Sequence, residues 1–353
     1  MSRIYTNRLD YRRAWESSAV DDTPVPLNID LELASLCNLN CPFCFIPDPN
    51  FEKFITQKAE DGKGLRRLMP KEMAFKIIDE AASIGVPALK FNWRGESTMH
   101  RDYAEIVKYA STKMEPIVNG TFTPGVVQSA SSTERYSFIE ILANTNANCS
   151  DSAVEGLLRC TKVMISLDSM DPAIYPTMRV GGKLERAKEV IWELVRHQHP
   201  NVWVRRVMTK ANEKENFFEA IKKEWGDAVK VSEHFCFDRN ASRQNEMSGC
   251  DHDEGLPRKF CGYPAQRIVI TSAGYAYPCC LDLHETMRVG DINKESILRI
   301  WNGDPMRRLR DNLRSLDVGR WSKTCQNCES WMSYDAPQRA HVQDKEIVAP
   351  ATR

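Results

Sequence analysis

Twelve cysteines in 353 residues constrain this chain more than any other feature, because they are unevenly placed. They stand at 37, 41, 44, 149, 160, 236, 250, 261, 279, 280, 325 and 328. No apolar run approaches the roughly 20 residues of a membrane span, and the first eight residues lack the apolar core of a signal peptide. A cytoplasmic protein is expected. Thiols stay reduced there, so dense cysteine signifies metal binding or catalysis rather than disulfides. Lys plus Arg equals Asp plus Glu at 48 each, and the net charge is zero. That argues against duplex nucleic acid or an anionic membrane as partner.

Cys37, Cys41 and Cys44 fall within eight residues. A C-x3-C-x2-C set brings three thiolates to one point and leaves a tetrahedral zinc one ligand short. A [4Fe–4S] cube on three thiolates keeps one iron open for a ligand, so the spacing favours the cluster. A second group comprises Cys261, Cys279, Cys325 and Cys328. The first two can meet across a hairpin, and the last two form C-x2-C. Four thiolates at one point suit either a closed structural zinc or a second cluster. Cys280 is a spare beside Cys279. Cys149, Cys160, Cys236 and Cys250 stand alone and read as small hydrophobes.

Elsewhere the pattern alternates. Strands are expected at 27–33, 88–93, 138–144, 162–167, 202–208 and 228–231. Helical spacing follows at 73–84, 102–112, 151–159, 184–195 and 215–225, with Gly85 closing the first. The stretch 47–70, broken by Pro47, Pro49, Gly62 and Gly64, reads as a long loop, and 115–137 as an irregular insert. Six strand–helix alternations imply a parallel sheet with helices outside. Strand parity leaves a polar face opposite the helices, made of Asp30, Glu32, Lys90, Asn92, Arg94, Glu140, Asn144, Ser166, Asp168, Arg205 and His234. Of these, Glu32, Lys90, Asn92, Arg94, Arg205 and His234 are the candidate catalytic residues. A lumen of both charge signs argues for a polar substrate. Farther on, 267–271 and 275–277 read as a hairpin turned at 272–274, with a helix near 296–301.

The cysteine triplet, with Phe43 before its last member and a strand before its first, resembles the cluster motif of the radical S-adenosylmethionine (SAM) superfamily. The resemblance implies an α/β fold: a partial (β/α)6 TIM-like barrel over 25–240, with chemistry at the carboxyl ends of the strands. It implies a [4Fe–4S] cluster whose open iron chelates SAM, and reductive cleavage of SAM to a 5′-deoxyadenosyl radical that abstracts hydrogen. Gly95 and Glu96 resemble part of the family's Gly-Gly-Glu-Pro motif, with Arg94 and Ser97 departing from it. Asn144 opens a stretch similar to the family's Thr-Asn-Gly segment. Ser166, Asp168 and Arg179 resemble the Ser-Leu-Asp stretch and downstream Arg of the SPASM-containing branch. These six are the implied cofactor-binding residues. The second cysteine group resembles the auxiliary-cluster region of SPASM and twitch domains. With one full ligand set it implies one auxiliary [4Fe–4S] cluster in a small domain over 241–330, built of a hairpin and a helix. A lead at 1–24 and a tail at 331–353 complete the chain.

The function these features imply is dehydrogenation or epimerisation of a sugar, an aminocyclitol or a nucleotide sugar. The partner implied is an electron donor such as flavodoxin or ferredoxin. The alternative is a maturase that modifies a peptide or protein side chain. Many such proteins use a peptide-binding module at the amino end, for which the 36 residues before Cys37 leave no room.

Overall fold

The computed structural model describes residues 8–18, 22–114, 138–235, 260–326 and 328, apart from the side chains of Arg8, His234 and Phe235. Within these, the strands are β1 (Asn28–Leu31), β2 (Ala88–Phe91), β3 (Glu140–Thr145), β4 (Lys162–Ser166), β5 (Val202–Met208), β6 (Val229–Phe235), β7 (Arg267–Ile270), β8 (Tyr275–Tyr277) and β9 (Gly290–Asp291). They form one sheet in the order β6-β5-β4-β3-β2-β1-β7-β8-β9. The first six are parallel. Because β6 and β9 are the edges, the sheet curls without closing, as a partial barrel.

The hairpin expected in the small C-terminal domain also extends the barrel sheet. β7 lies parallel to β1, with Ile29 opposite Ile268 and Leu31 opposite Ile270. β8 and β9 then pair antiparallel beyond it. The reason is burial. An isolated hairpin is marginally stable, whereas Ile268 and Ile270 continue the apolar row of β1 into the main core.

The helices are α1 (Arg8–Ser17), α2 (Pro49–Ile55), α3 (Lys71–Ile84), α4 (Tyr103–Ser111), α5 (Asp151–Leu157), α6 (Tyr175–Met178), α7 (Leu184–Arg196), α8 (Phe217–Trp225), α9 (Tyr263–Gln266), α10 (Ile297–Trp301), α11 (Asp304–Arg314) and α12 (Lys323–Gln326). α3, α4, α5, α7 and α8 cover the outer face, each burying one apolar stripe in the common core. Gly85 ends α3 in the left-handed conformation, at φ 85°.

Two readings need correction. The stretch 47–70 is not all loop. Asp48 caps α2 by accepting from Asn50 N–H at 2.7 Å, and Pro49 occupies its first turn. Phe51 and Ile55, four apart, pack against Val269, Tyr275 and Tyr277. Two turns between prolines are too short to show a period. α11 also escaped the sequence reading, because a buried charge interrupts its apolar stripe. Arg310 lies between Met306 and Leu313, donates Nε–H to the Pro264 carbonyl at 3.0 Å and stacks 4.0 Å over Trp301. The insert 115–137, the boundary near 241, Cys236, Cys250 and the tail from 331 lie outside the described residues.

Candidate functional site

The apolar rows of β1–β6, including Ile29, Phe91, Ile141, Ile165, Val204 and Val231, share one core beneath the helices. Alternation then turns the other row into the lumen. Lys90 stands beside Asp30, and Arg205 stands between Ser166 and Ser232. Buried Asp30 accepts from Asn28 Nδ2 at 2.9 Å and Arg267 Nη1 at 3.5 Å, with Lys90 Nζ at 3.9 Å. Arg205 Nη2 reaches Met164 Sδ at 3.6 Å. Among the described residues, Asn144 Oδ1 and Ser232 Oγ are buried with no hydrogen-bond partner. Asn92 follows β2, half-buried, and His234 pairs in register with Val207 on β5, its side chain outside the described set.

Glu32 and Arg94 are corrected from catalytic candidates to a structural pair. Arg94 Nε and Nη2 donate to the two Glu32 oxygens at 2.7 and 3.1 Å, and both side chains are fully buried. Glu32 Oε2 also accepts Ser272 N–H and Oγ–H at 2.9 and 3.0 Å. Arg94 additionally reaches Glu285 Oε1 at 2.7 Å and the Leu283 carbonyl at 3.3 Å. Buried charges persist only when paired in this way. The pair ties β1 and the turn after β2 to the segment following β8.

The chain leaving β1 crosses the carboxyl ends of the strands as the cysteine loop, and the turns after β2, β3 and β4 brace it. Gly95 has φ +64°, and a Cβ there would lie 2.3 Å from the Leu36 carbonyl and 2.4 Å from that of Ala34. Only glycine lets the β2 turn approach so closely. Glu96 N–H donates to Leu36 O at 2.7 Å. Asn38 donates to the Asn148 carbonyl at 2.7 Å and accepts from Asn146 Nδ2 at 2.9 Å, and Asn148 Nδ2 reaches Tyr175 Oη at 2.9 Å. Sequence reasoning missed Asn38 and Asn148, although Asn38 lies inside the motif.

The expected cofactor residues gather here, in roles partly other than those expected. Glu96 Oε1 accepts from Thr98 N–H and Oγ1–H at 3.2 and 2.6 Å, and Oε2 accepts Asn146 N–H at 2.7 Å. Burial raises its pKa against these bonds. Its carboxylate therefore joins the turns after β2 and β3. Asp168, at φ +68°, accepts Val207 N–H at 2.7 Å and holds Arg179 Nε at 2.6 Å. Arg179 in turn points Nη1 at Cys41 Sγ, 3.5 Å away, with its guanidinium 5.3 Å from the Phe43 ring. Leu39 N–H donates to Cys37 Sγ at 3.4 Å. Burial pushes the Cys37 thiol up to about 12 and raises Cys41, where Arg179 opposes the rise.

Cys261, Cys279, Cys325 and Cys328 line one cavity, with Leu281, Met287, Leu313 and Trp321 among its walls. Cys261 precedes α9, Cys279 follows β8, and Cys325 lies in α12. Burial pushes the Cys261 thiol up to about 12. Cys279 and Cys280 share a hydrogen bond that raises the first thiol's pKa and lowers the second's, with Arg267 and Lys90 assisting the latter against burial. Cys280 thus neighbours the lumen charges. Of the lone cysteines, Cys160 is buried and Cys149 half-buried.

These residues fit the groups that the resemblance implies. Three thiols share the braced loop across the strand ends and four line one cavity, donor sets of the kind that hold iron–sulfur clusters. Among the described residues, no three His, Cys, Asp or Glu side chains converge closely enough to hold a single ion. The orphaned Asn144 Oδ1 and Ser232 Oγ suit a polar ligand across the strand ends.

No curated protein matches the chain. Among solved structures, SuiB of Streptococcus suis bound to S-adenosylmethionine aligns over 91% of this chain and 75% of its own, at 16% identity and TM-score 0.56. BtrN in complex with AdoMet and 2-DOIA aligns over 88% and 94%, at 16% identity and TM-score 0.51. Native anSMEcpe with bound AdoMet aligns over 87% of each, at 14% identity and TM-score 0.55. At such identities the likeness speaks for the fold alone. The family profiles go further: the radical SAM superfamily matches 31–223, and SPASM, an iron–sulfur cluster-binding domain, matches 261–329. The cofactors are accordingly SAM and a [4Fe–4S] cluster, and the second cysteine region binds iron–sulfur rather than zinc. No described helix is long and apolar enough to cross a membrane. With more than half its length matched and a braced three-thiol loop across its strand ends, the chain belongs to the radical SAM superfamily and carries a SPASM domain beyond its barrel.

Proposed function

We propose that this enzyme abstracts a hydrogen atom from a polar small molecule, a sugar, an aminocyclitol or a nucleotide sugar, and so dehydrogenates or epimerises it. The observation that carries this reading is the lumen, where, among the described residues, Ser232 Oγ lies buried without a hydrogen-bond partner beside Arg205, with Lys90 and Asp30 on the same face. Burying such groups is costly unless a ligand bonds them, and an apolar substrate could not. When bound and reduced, the cluster and SAM supply a 5′-deoxyadenosyl radical for the abstraction.

The chain's own residues divide the remaining work. Cys37, Cys41 and Cys44 hold the SAM cluster, with Arg179, itself held by Asp168, offsetting charge at Cys41. Gly95, Glu96, Asn144 and Ser166 form the wall on which SAM lies. Lys90, Asn92, Arg205 and His234 contact the substrate. Cys261, Cys279, Cys325 and Cys328 hold one auxiliary [4Fe–4S] cluster. A cytoplasmic flavodoxin or ferredoxin delivers the electron. The test is anaerobic incubation with SAM, reductant and deuterated candidates. Deuterium should enter 5′-deoxyadenosine from a sugar, an aminocyclitol or a nucleotide sugar. Transfer from peptides alone would replace this reading with peptide modification. Two structures of similar fold, SuiB with precursor peptide SuiA and anSMEcpe with Cp18Cys peptide, were solved with peptides bound.

A further inference from the structure

The four residues 93–96 touch both thiol sites at once. At one end, Trp93 Nε1–H donates to the Cys280 carbonyl at 2.7 Å. That carbonyl belongs to the peptide unit one residue beyond Cys279, whose sulfur accepts Leu281 N–H at 3.3 Å. At the other end, Gly95 packs on the Ala34–Leu36 backbone, and Glu96 N–H donates to the Leu36 carbonyl, one residue before Cys37. Between the ends the segment is rigidly held. The Trp93 ring stacks on Tyr277 at 6.0 Å and 25°, and the Arg94 guanidinium lies 4.1 Å over the Trp93 ring. Arg94 is itself fixed by Glu32 and Glu285, and Tyr277 Oη–H donates to the other Glu285 oxygen at 2.7 Å.

We infer that Trp93 is a positioning residue that couples the two sites, so that SAM at the Glu96 turn and the cluster at Cys279 sense one another. This rests on the proposed reading of Cys279 as an auxiliary-cluster ligand. The physical link is short. A ligand that shifts the Glu96 turn shifts Trp93 with it, because close packing at Gly95 and the Arg94–Trp93–Tyr277 stack make residues 93–96 one rigid unit. Trp93 carries that shift to the Cys280 carbonyl and hence to the Leu281 N–H···Sγ bond on Cys279. Hydrogen bonds to ligand sulfurs set the potential of an iron–sulfur cluster. Coupling of this kind is reciprocal: whatever SAM does to the auxiliary site, that site does to SAM affinity.

The test compares the parent, Trp93→Phe, Cys325→Ala and the double variant, all reconstituted anaerobically and left oxidised so that SAM is bound but not cleaved. Trp93→Phe keeps an aromatic ring and removes the indole donor. Loss of the auxiliary cluster in Cys325→Ala should weaken SAM binding about tenfold in the parent background, or about 1.4 kcal/mol. In the Trp93→Phe background the same loss should change affinity less than twofold, a non-additive cycle. Equal losses in both backgrounds, or no loss in either, overturn the inference. Undiminished iron in Cys325→Ala would instead overturn the ligand assignment beneath it. Should Cys325→Ala not fold, the auxiliary midpoint potential of the parent and of Trp93→Phe, each with and without S-adenosylhomocysteine, decides. The parent should shift by about 59 mV, the one-electron equivalent of tenfold, and Trp93→Phe should not shift. An identical response in the two proteins overturns the coupling.

Discussion

The two thiol sites are built by opposite means. The Cys37–Cys44 loop sets its thiols within eight consecutive residues and is braced almost wholly by polar contacts: Asn38 with Asn146 and Asn148, Glu96 with Thr98 and Asn146, and Arg179 with Asp168. The Cys261–Cys328 cavity gathers its thiols from residues up to 67 positions apart and walls them with Leu281, Leu313 and Trp321. A site that must admit a polar cofactor keeps hydrogen-bonding groups at its rim. A site closed by four protein thiolates can exclude water, and apolar walls suffice. The open site therefore depends on the precision of turns, and the closed one on the packing of a core.

The sharpest way to break the comparison is to remove ligands. Reconstituted protein should carry about eight irons, two cubes of four. The Cys37/Cys41/Cys44 triple Ala variant should keep about half and form no 5′-deoxyadenosine. Cys325→Ala should also keep about half, yet still cleave SAM without forming product. If the second cluster is chiefly structural, that variant should instead lose its circular dichroism signal, because closed metal sites contribute directly to folding.

Arg94 joins the two regions, so Arg94→Ala should destabilise both. It would leave Glu32 and Glu285 buried without their cation, which costs about 3–5 kcal/mol. Denaturant titration measures the loss, and joint replacement of Glu32 and Arg94 by Met should recover much of it.

Leu313→Ala tests the apolar wall. Truncation at this buried position should cost about 2–5 kcal/mol and lower auxiliary iron while sparing the SAM cluster. Iron content with and without the triplet cysteines separates the two.

Glu96→Gln tests the polar brace and should have the smallest effect on stability, about 1–3 kcal/mol. The amide either turns its NH2 toward Asn146 N–H or loses the Thr98 bonds. Both clusters should remain, while calorimetric titration should record weaker SAM binding.

Much of the open site was legible because its signals are local. The triplet spacing is contiguous, Gly95 and Glu96 sit within a few residues of the end of β2, and strand parity alone placed Lys90, Asn144 and Arg205 on the polar face, whereas Arg179, at the end of α6, was found only through the family resemblance. Parity could not tell a lumen group from a buried pair. Glu32 and Arg94 share the face of Lys90, but their partners Ser272 and Glu285 come from beyond β7, far along the chain. α2 and α11 escaped for related reasons: one is too short for a period, and the other hides a charge in its apolar stripe.

The sequence by itself determined the chemistry this chain can support. Thiol number and spacing favour an open cluster at the triplet and admit either zinc or a cluster at the second group, and six alternations of period two and period 3.6 admit few architectures besides a parallel sheet under helices. Tertiary structure alone decided how the two halves meet. β7 joins β1 because its Ile268 and Ile270 extend a core that a lone hairpin could not form. That junction carries Ser272, Cys280 and Glu285 to Glu32, Trp93 and Arg94. Contacts between residues some 190 to 240 positions apart leave no local period or spacing, because only burial and hydrogen-bond satisfaction in the folded chain select them.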